Sequence, residues 1–280
     1  MYDFFFGSSQ DIENDPRTWL LSIKRMLPRW PNGIPDSEFL ALFDLLNEYD
    51  YESTCTSNKR PVLIETGSGA STIVLLYFAC KWNACLYTWD IASTKLAFLR
   101  GVLNDTLFRY FRDLNMFNYW KYIAYDSTNQ YVGIPVLKET NNTVCAAFYD
   151  SEHTWSVLGS EIAATLPFLC NGAIVAIDDA NYTYKERNTA YINMLRTKLD
   201  LPMVTVQNNE CRPFWQEVES LLSQKFPRVK NLDGGTYRQT YQDDIFWSYY
   251  SSDRNNMNKL GMEKLENLAH RFEAWKVFIN

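Results

Sequence analysis

Apolar and polar positions along the chain alternate between two periods: short runs of strand length, and longer stretches with apolar residues three or four apart. Pro16–Leu27 and Pro35–Tyr49 read as helices, the second with a stripe of Phe39, Leu42, Phe43, Leu45 and Leu46 and a proline in its opening turn. The polar stretch Glu52–Arg60 leads to a strand at Val62–Ile64. From there the pattern predicts a helix over Gly69–Lys81, a strand over Cys85–Trp89 and a helix over Thr94–Leu114. A strand over Tyr119–Tyr125, a short helix over Gln130–Lys138 and a strand over Val144–Tyr149 follow. Next come a helix over His153–Leu169, a strand over Ala173–Ile177, a helix over Tyr184–Leu199 and a strand over Met203–Val206. Strands alternating with helices argue an α/β chain, a doubly wound and mostly parallel sheet with helices on both faces.

Beyond Asn208 the pattern loosens. Phe214–Phe226 reads as a helix and Asp244–Tyr250 as a strand late in the sheet. Asn258–Ile279 reads as an amphipathic helix striped by Leu260, Leu265, Leu268, Phe272, Trp275 and Val277. The expected organisation is an N-terminal helical cap or lid (1–60), the sheet domain (61–250) and a C-terminal helix (251–280) packed on that domain or on a partner subunit.

The junction Val62-Leu63-Ile64-Glu65-Thr66-Gly67-Ser68-Gly69-Ala70-Ser71-Thr72 carries the first chemical signal. Gly67 and Gly69 let the backbone turn sharply and approach a ligand closely, and Glu65 at the strand's carboxyl end is expected to face the crevice there. A phosphate-binding P-loop needs a lysine that this stretch lacks, and a dinucleotide fingerprint needs a third glycine where Thr72 stands. A ligand loop and an ordinary strand–turn–helix junction both remain open.

Asp90 ends the next strand, about 20 residues past the loop, where a nucleotide site places an acid for both ribose hydroxyls. Its alternative is capping of the helix that opens at Ala92. Asp126-Ser127 closes the following strand, as a ligand edge or as the start of a turn.

Two further strands end in acids: Asp150, followed by Ser151-Glu152-His153, and Asp178-Asp179. As parallel neighbours they bring Asp150, Asp178 and Asp179 to one edge. Three carboxylates repel unless protonated or bridged by a cation, and an oxygen-rich set suits Mg²⁺, Mn²⁺ or Ca²⁺ better than zinc. Capping and turn formation are the alternative for Asp150 and Asp178.

A net charge of -6 argues against a nucleic-acid partner. An aromatic share of 16% suits a core boundary, a wide pocket for a planar or sugar-like substrate, or a homo-oligomer surface. The six cysteines form no CxxC pair, and four lie in or beside apolar runs as small buried hydrophobes. No run reaches about 18 apolar residues, so no membrane span is expected. Met1–Phe6 has no basic n-region, so a cytoplasmic, reducing setting is the expectation.

Glu65-x-Gly67-x-Gly69-x-Ser71 resembles motif I of class I S-adenosylmethionine (SAM) dependent methyltransferases, whose glycine loop faces the aminoacyl end of SAM. Tyr149-Asp150-Ser151-Glu152-His153-Thr154-Trp155 resembles the Asp-Gly-Asp-His-Ser-Tyr stretch of small-molecule O-methyltransferases of the macrocin and catechol types. Leu166–Val175 is similar to their Leu-x-Pro-Gly-Gly-x-Ile turn, and Asp178-Asp179 to their Asp-Asp pair. Ser151-Glu152 and Asn171-Gly172 depart from Gly-Asp and Gly-Gly, and Glu152 competes with Asp150 as a ligand. The resemblance spans roughly Pro61–Asn181 and implies a Rossmann-like catalytic domain with SAM as cofactor. It implies cofactor contacts at Glu65, Gly67, Ser68, Gly69, Ser71, Asp90, Ile91, Asp126 and Ser127, and a divalent cation on Asp150, Asp178 and Asp179.

The implied chemistry is in-line methyl transfer to oxygen of a small hydroxylated acceptor, with Asp150 at the reacting edge and a base taking the proton. His153, one of two histidines, is the first candidate base; exposure in a helix's opening turn is its alternative. His270 reads as a surface residue. Metal-independent N- or O-methylation and a non-catalytic binding or assembly role are the other function classes; intact Glu65, Gly67, Gly69 and Asp90 favour the enzyme readings.

Overall fold

The computed structural model describes residues 13–49, 59–111, 114–124, 144–151, 155–180, 183–184, 197, 212–232 and 272–279. Seven strands form one sheet: β1 Val62–Thr66, β2 Cys85–Asp90, β3 Trp120–Ala124, β4 Val144–Tyr149, β5 Leu169–Ile177, β6 Arg228–Asn231 and β7 Glu273–Phe278. Their order is β3-β2-β1-β4-β5-β7-β6. The pairs from β3 through β5 are parallel, and β7 runs antiparallel to both β5 and β6. This is the doubly wound, mostly parallel sheet that the alternation predicts.

The helices are α1 Pro16–Arg25, α2 Asp36–Asn47, α3 Ala70–Lys81, α4 Ser93–Asp105, α5 Trp155–Thr165 and α6 Phe214–Lys225. α3 is buried from Ala70 to Cys80, because it lies between the sheet and the N-terminal pair α1 and α2. Trp19, Leu20, Ile23, Phe39 and Phe43 share one continuous core with β1, α3 and β4. The N-terminal helices are therefore built into the main core, each large apolar side chain contributing roughly 1.5–3 kcal/mol by burial. Lys24, fully buried, holds that corner through a 2.7 Å ion pair with Asp36, which Arg25 also reaches at 2.7 Å.

Helix ends depart from the periodicity where turn chemistry intervenes. The helix expected over Thr94–Leu114 ends at Asp105; Thr106 takes φ -117, ψ -86, and a separate turn spans Leu107–Tyr110. The one expected over His153–Leu169 gives way after Thr165 to a 3₁₀ turn around Pro167. β5 then starts at Leu169, four residues earlier than Ala173, and its pairing with β4 slips beside Gly172, which sits at φ +77.

The largest correction lies in the tail. Residues 273–278 were expected to continue an amphipathic helix, and they form β7, inserted between β5 and β6. Phe272, Ala274, Trp275 and Val277 are all fully buried, so both faces of the strand are covered. A short apolar run buried on both faces carries no period-2 signal, and spacing alone does not distinguish it from a helix. The C-terminal helix expected over 251–280 is thus replaced at 273–278 by a strand, which makes this stretch part of the sheet rather than a helix packed on it.

Thr183–Tyr184 pairs antiparallel with Arg212–Pro213, so Tyr184 does not open a helix. The expected elements at Gln130–Lys138, Met203–Val206 and Asp244–Tyr250 lie outside the described residues, as does most of Tyr184–Leu199. Cys80, Cys85, Cys145 and Cys170 are buried thiols, as expected of small hydrophobes, and burial pushes the Cys80 thiol up to about 12. Among the described residues no helix is long and apolar enough to cross a membrane.

Candidate functional site

The chain leaves β1 in one direction toward β2 and β3, and returns on the other side through β4 and β5. An open α/β sheet places its ligand crevice where that order reverses, here at the carboxyl ends of β1 and β4. The glycine loop closes β1 at this point. Gly67 takes φ +78, and its N–H donates to the Trp89 carbonyl at 2.8 Å. A Cβ placed on Gly67 would lie 1.8 Å from the Asp150 carbonyl oxygen. Only glycine satisfies both the left-handed turn and this contact with the end of β4. Gly69 has an extended backbone; here closeness is the constraint, since a Cβ would sit 2.7 Å from the Pro31 carbonyl oxygen. The segment between α1 and α2 therefore walls the loop.

Glu65 differs from expectation. It does not face the crevice: it is fully buried beneath the loop. Its carboxylate accepts hydrogen bonds from Ser71 Oγ at 2.6 Å, Thr72 Oγ1 at 2.9 Å and Thr88 Oγ1 at 2.9 Å. Trp120 Nε1 donates in turn to Thr88 Oγ1 at 2.9 Å. Burial pushes the Glu65 carboxyl up to about 7 against the opposing effect of the three hydroxyls, with the nearby Asp90 adding a small further push. Glu65 and the buried Ser71 thus hold the first turn of α3 on β1 and β2.

Asp90 lies at the crevice and grips the loop. Its Oδ2 accepts from the Ser68 N–H and from Ser68 Oγ, both at 2.7 Å, and from Lys95 Nζ at 3.3 Å. Its Oδ1 accepts from the Ala92 N–H at 2.6 Å in the turn that leads into α4, whose own N-cap has no side-chain hydrogen bond. Lys95 also donates to the Ser68 carbonyl at 3.1 Å. A carboxylate offers about four lone-pair directions, so a vicinal diol would have to share them with Ser68 Oγ or Lys95. Ile91 beside it is 68% exposed at the rim. Tyr122, whose hydroxyl donates to the Ala92 carbonyl at 2.9 Å, is pushed up to about 12 by burial, with Asp90 adding to the shift.

The acid edge is joined to the loop by backbone. The Asp150 N–H donates to the Thr66 carbonyl at 2.9 Å, and the Asp178 N–H donates to the Tyr149 carbonyl at 3.1 Å. Asp178 and Asp179 are buried, and Asp179 takes φ +49. The three acids reach the expected edge, but among the described residues no three His, Cys, Asp or Glu side chains form a group able to hold a metal ion. Asp126, Ser127, Glu152, His153 and His270 lie outside the described residues.

Two residues that sequence reasoning missed organise the site. Lys95 is one; it sits on α4, five residues after Asp90. The other is Glu161 on α5, which is buried and accepts from Thr66 Oγ1 at 2.8 Å and from Ser151 Oγ at 2.7 Å. Its signal was available: it is the single charged residue in the helix WSVLGSEIAAT.

No family model matches the chain, and no curated protein matches its sequence. Among solved structures it is similar to the MycE methyltransferase of the mycinamycin biosynthetic pathway in complex with Mg, SAH and mycinamycin VI. That match has 16% identity over 48% of this chain and 33% of the other, with a TM-score of 0.33. The chain thus spans about a third of the MycE chain. It is also similar to the O-methyltransferase from Bacillus cereus in complex with SAH, with 12% identity over 82% of this chain and 91% of the other and a TM-score of 0.41. The plantazolicin methyltransferase BpumL with SAH matches at 13% identity over 97% and 98%, with a TM-score of 0.41. The strand order and parallel pairing are those of an open, doubly wound Rossmann-like sheet. In this sheet the glycine loop, Asp90 and the acid edge stand at the carboxyl ends of neighbouring parallel strands.

Proposed function

We propose that the chain is a SAM-dependent methyltransferase acting on oxygen of a small hydroxylated molecule, of sugar or natural-product type. The observation that carries this reading is the contact of Gly67 with the backbone of Asp150, which sets a phosphate-free cofactor loop directly against a carboxylate edge. The loop suits SAM: the glycines let it turn tightly against the end of β4 and against Pro31, Asp90 supplies a hydroxyl acceptor, and the loop itself carries no cation for a phosphate. SAM bound there supplies a methyl group on a sulfonium, open to in-line displacement by an acceptor oxygen.

The residues of the chain do the rest. Ser68, Gly67 and Gly69 shape the aminoacyl pocket, and Asp90 and Ile91 border the ribose and adenine side. Asp150 orients the acceptor hydroxyl, and either it or His153 receives the proton. Asp150, Asp178 and Asp179 are oxygen donors of the type that suits Mg²⁺, but they do not form a closed site, so no step is assigned to a cation.

Calorimetry with SAM on the full chain tests the reading, followed by mass-shift screening of hydroxylated acceptors with labelled SAM. Micromolar binding and a methyl-sized mass gain are expected. A folded protein that binds no SAM overturns the proposal. Turnover that survives exhaustive chelation selects the metal-independent branch, and turnover that chelation abolishes and Mg²⁺ restores selects the metal-assisted one.

A further inference from the structure

Glu161 is a carboxylate buried where two strand ends meet. Both of its oxygens are engaged by hydroxyls: Oε2 accepts from Thr66 Oγ1 at 2.8 Å and from Ser151 Oγ at 2.9 Å, and Oε1 accepts from Ser151 Oγ at 2.7 Å. Thr66 is the residue before Gly67, and Ser151 is the residue after Asp150. One side chain therefore touches the neighbours of both residues that define the site. Four residues on, one helical turn along the same face of α5, Thr165 bonds the Tyr149 hydroxyl. α5 thus grips the end of β4 at two successive inward positions, Tyr149 and Ser151, and at Glu161 it reaches across to β1. The Glu161 charge is also felt at Tyr149, whose hydroxyl is held above its ordinary range first by burial and also by that carboxylate.

A buried carboxylate is costly in desolvation, and apolar side chains of similar volume would pack α5 on the sheet without that cost. What the carboxylate adds is directionality. Two hydroxyls from different strands converge on Oε2, so the end of β1 cannot shift relative to the end of β4 without breaking a buried hydrogen bond.

We infer that Glu161 is a positioning residue that couples the cofactor loop to the acceptor edge, through Thr66 on one side and Ser151 on the other. The inference rests on the methyltransferase reading, because it takes the loop after Thr66 to be where SAM binds. Glu161 does not touch either reactant; it sets the distance between the loop and Asp150. Ordering one edge then favours ordering of the other, which is a coupling free energy between two parts of one site.

The test is a double-mutant cycle on SAM affinity, read by calorimetry with the full chain, and it needs no acceptor. Ser151→Ala is expected to weaken SAM binding by about fivefold, and Glu161→Gln by about tenfold. In the Glu161→Gln background Ser151→Ala should cost less than about twofold, because the path through Glu161 is already cut. If Ser151 touched SAM itself, its loss would persist undiminished in that background. If Glu161→Gln does not fold, Thr66→Val and Ser151→Ala form the cycle, and their combined loss should fall short of the product of the single losses. Thr66→Ser, which keeps the hydroxyl, should retain wild-type affinity. Additive losses, or none, in a wild-type chain that binds SAM overturn the coupling and leave the methyltransferase reading standing. A wild-type chain that binds no SAM overturns both.

Discussion

The two halves of the crevice are built differently. On the β1–β2 side, within about 30 residues of sequence, strand, loop, helix and strand supply a closed set of bonds: Glu65 under the loop, Asp90 and Lys95 around Ser68. On the β4–β5 side the acids stand at neighbouring strand ends, yet the described residues do not gather them into a donor cluster. The alignment of that edge depends on Glu161, a helix residue that reaches a hydroxyl 95 positions earlier in the chain. The first half is preorganised by local sequence, and the second is assembled by packing.

The contrast breaks first at Gly67. Gly67→Ala forces a Cβ to 1.8 Å from the Asp150 carbonyl in a left-handed backbone, so it should cost at least about 3 kcal/mol of stability and abolish SAM binding. Thermal melting and calorimetry read both effects. Wild-type binding by that variant would mean that the loop and the acid edge do not meet as described. Asp90→Asn comes next. It keeps the shape but removes the charge that holds Ser68, and an affinity loss of about 10- to 100-fold for SAM is expected, with little change in melting temperature. Gly69→Ala is milder, since the backbone there is extended and only the Pro31 contact must give; about 1–2 kcal/mol is expected, read by denaturant unfolding.

A pH experiment sharpens the cofactor half further. The Glu65 carboxyl is raised from 4.5 to about 7 in the folded chain. Between those values the folded state holds a proton that the unfolded state has lost, so this group makes stability fall as pH rises from about 4.5 to about 7. Glu65→Gln should flatten that slope in melting curves taken from pH 4.5 to 8. An unchanged slope would show that Glu65 is not the titrating group. The smallest effect is expected from chelation. EDTA should leave SAM affinity within about twofold, because the carboxylate that grips the glycine loop is Asp90, at the end of β2 on the far side of β1 from the acid edge. A larger loss would place a cation in contact with both halves.

Much of the fold was legible. The strand at Val62, the helix from Ala70 to Lys81 and the strand Val144–Tyr149 stand where their patterns put them, because periodicity reports which faces are buried. The glycine loop was legible because positive φ and close approach both demand glycine, a requirement written in the residue type itself. The direction of Glu65 was not. A strand-end acid faces either the crevice or the helix behind the loop, and the hydroxyls of Ser71, Thr72 and Thr88 decided for the latter. Lys95 was invisible as a site residue, since a lone lysine on a helix normally reads as a solvated side chain, whereas Glu161 could have been found as the single charge on α5.

The amino-acid sequence alone therefore determined the alternation, the loop and the edge at which acids would appear, all of which follow from burial and backbone geometry within about 30 residues. Only the tertiary structure decided that the strand Glu273–Phe278 enters the sheet between β5 and β6, that Gly67 rests on Asp150, and that a buried carboxylate spans the ends of β1 and β4. These contacts join residues far apart in the chain, and no local pattern of apolar and polar positions specifies which partner a strand end or a buried charge will meet.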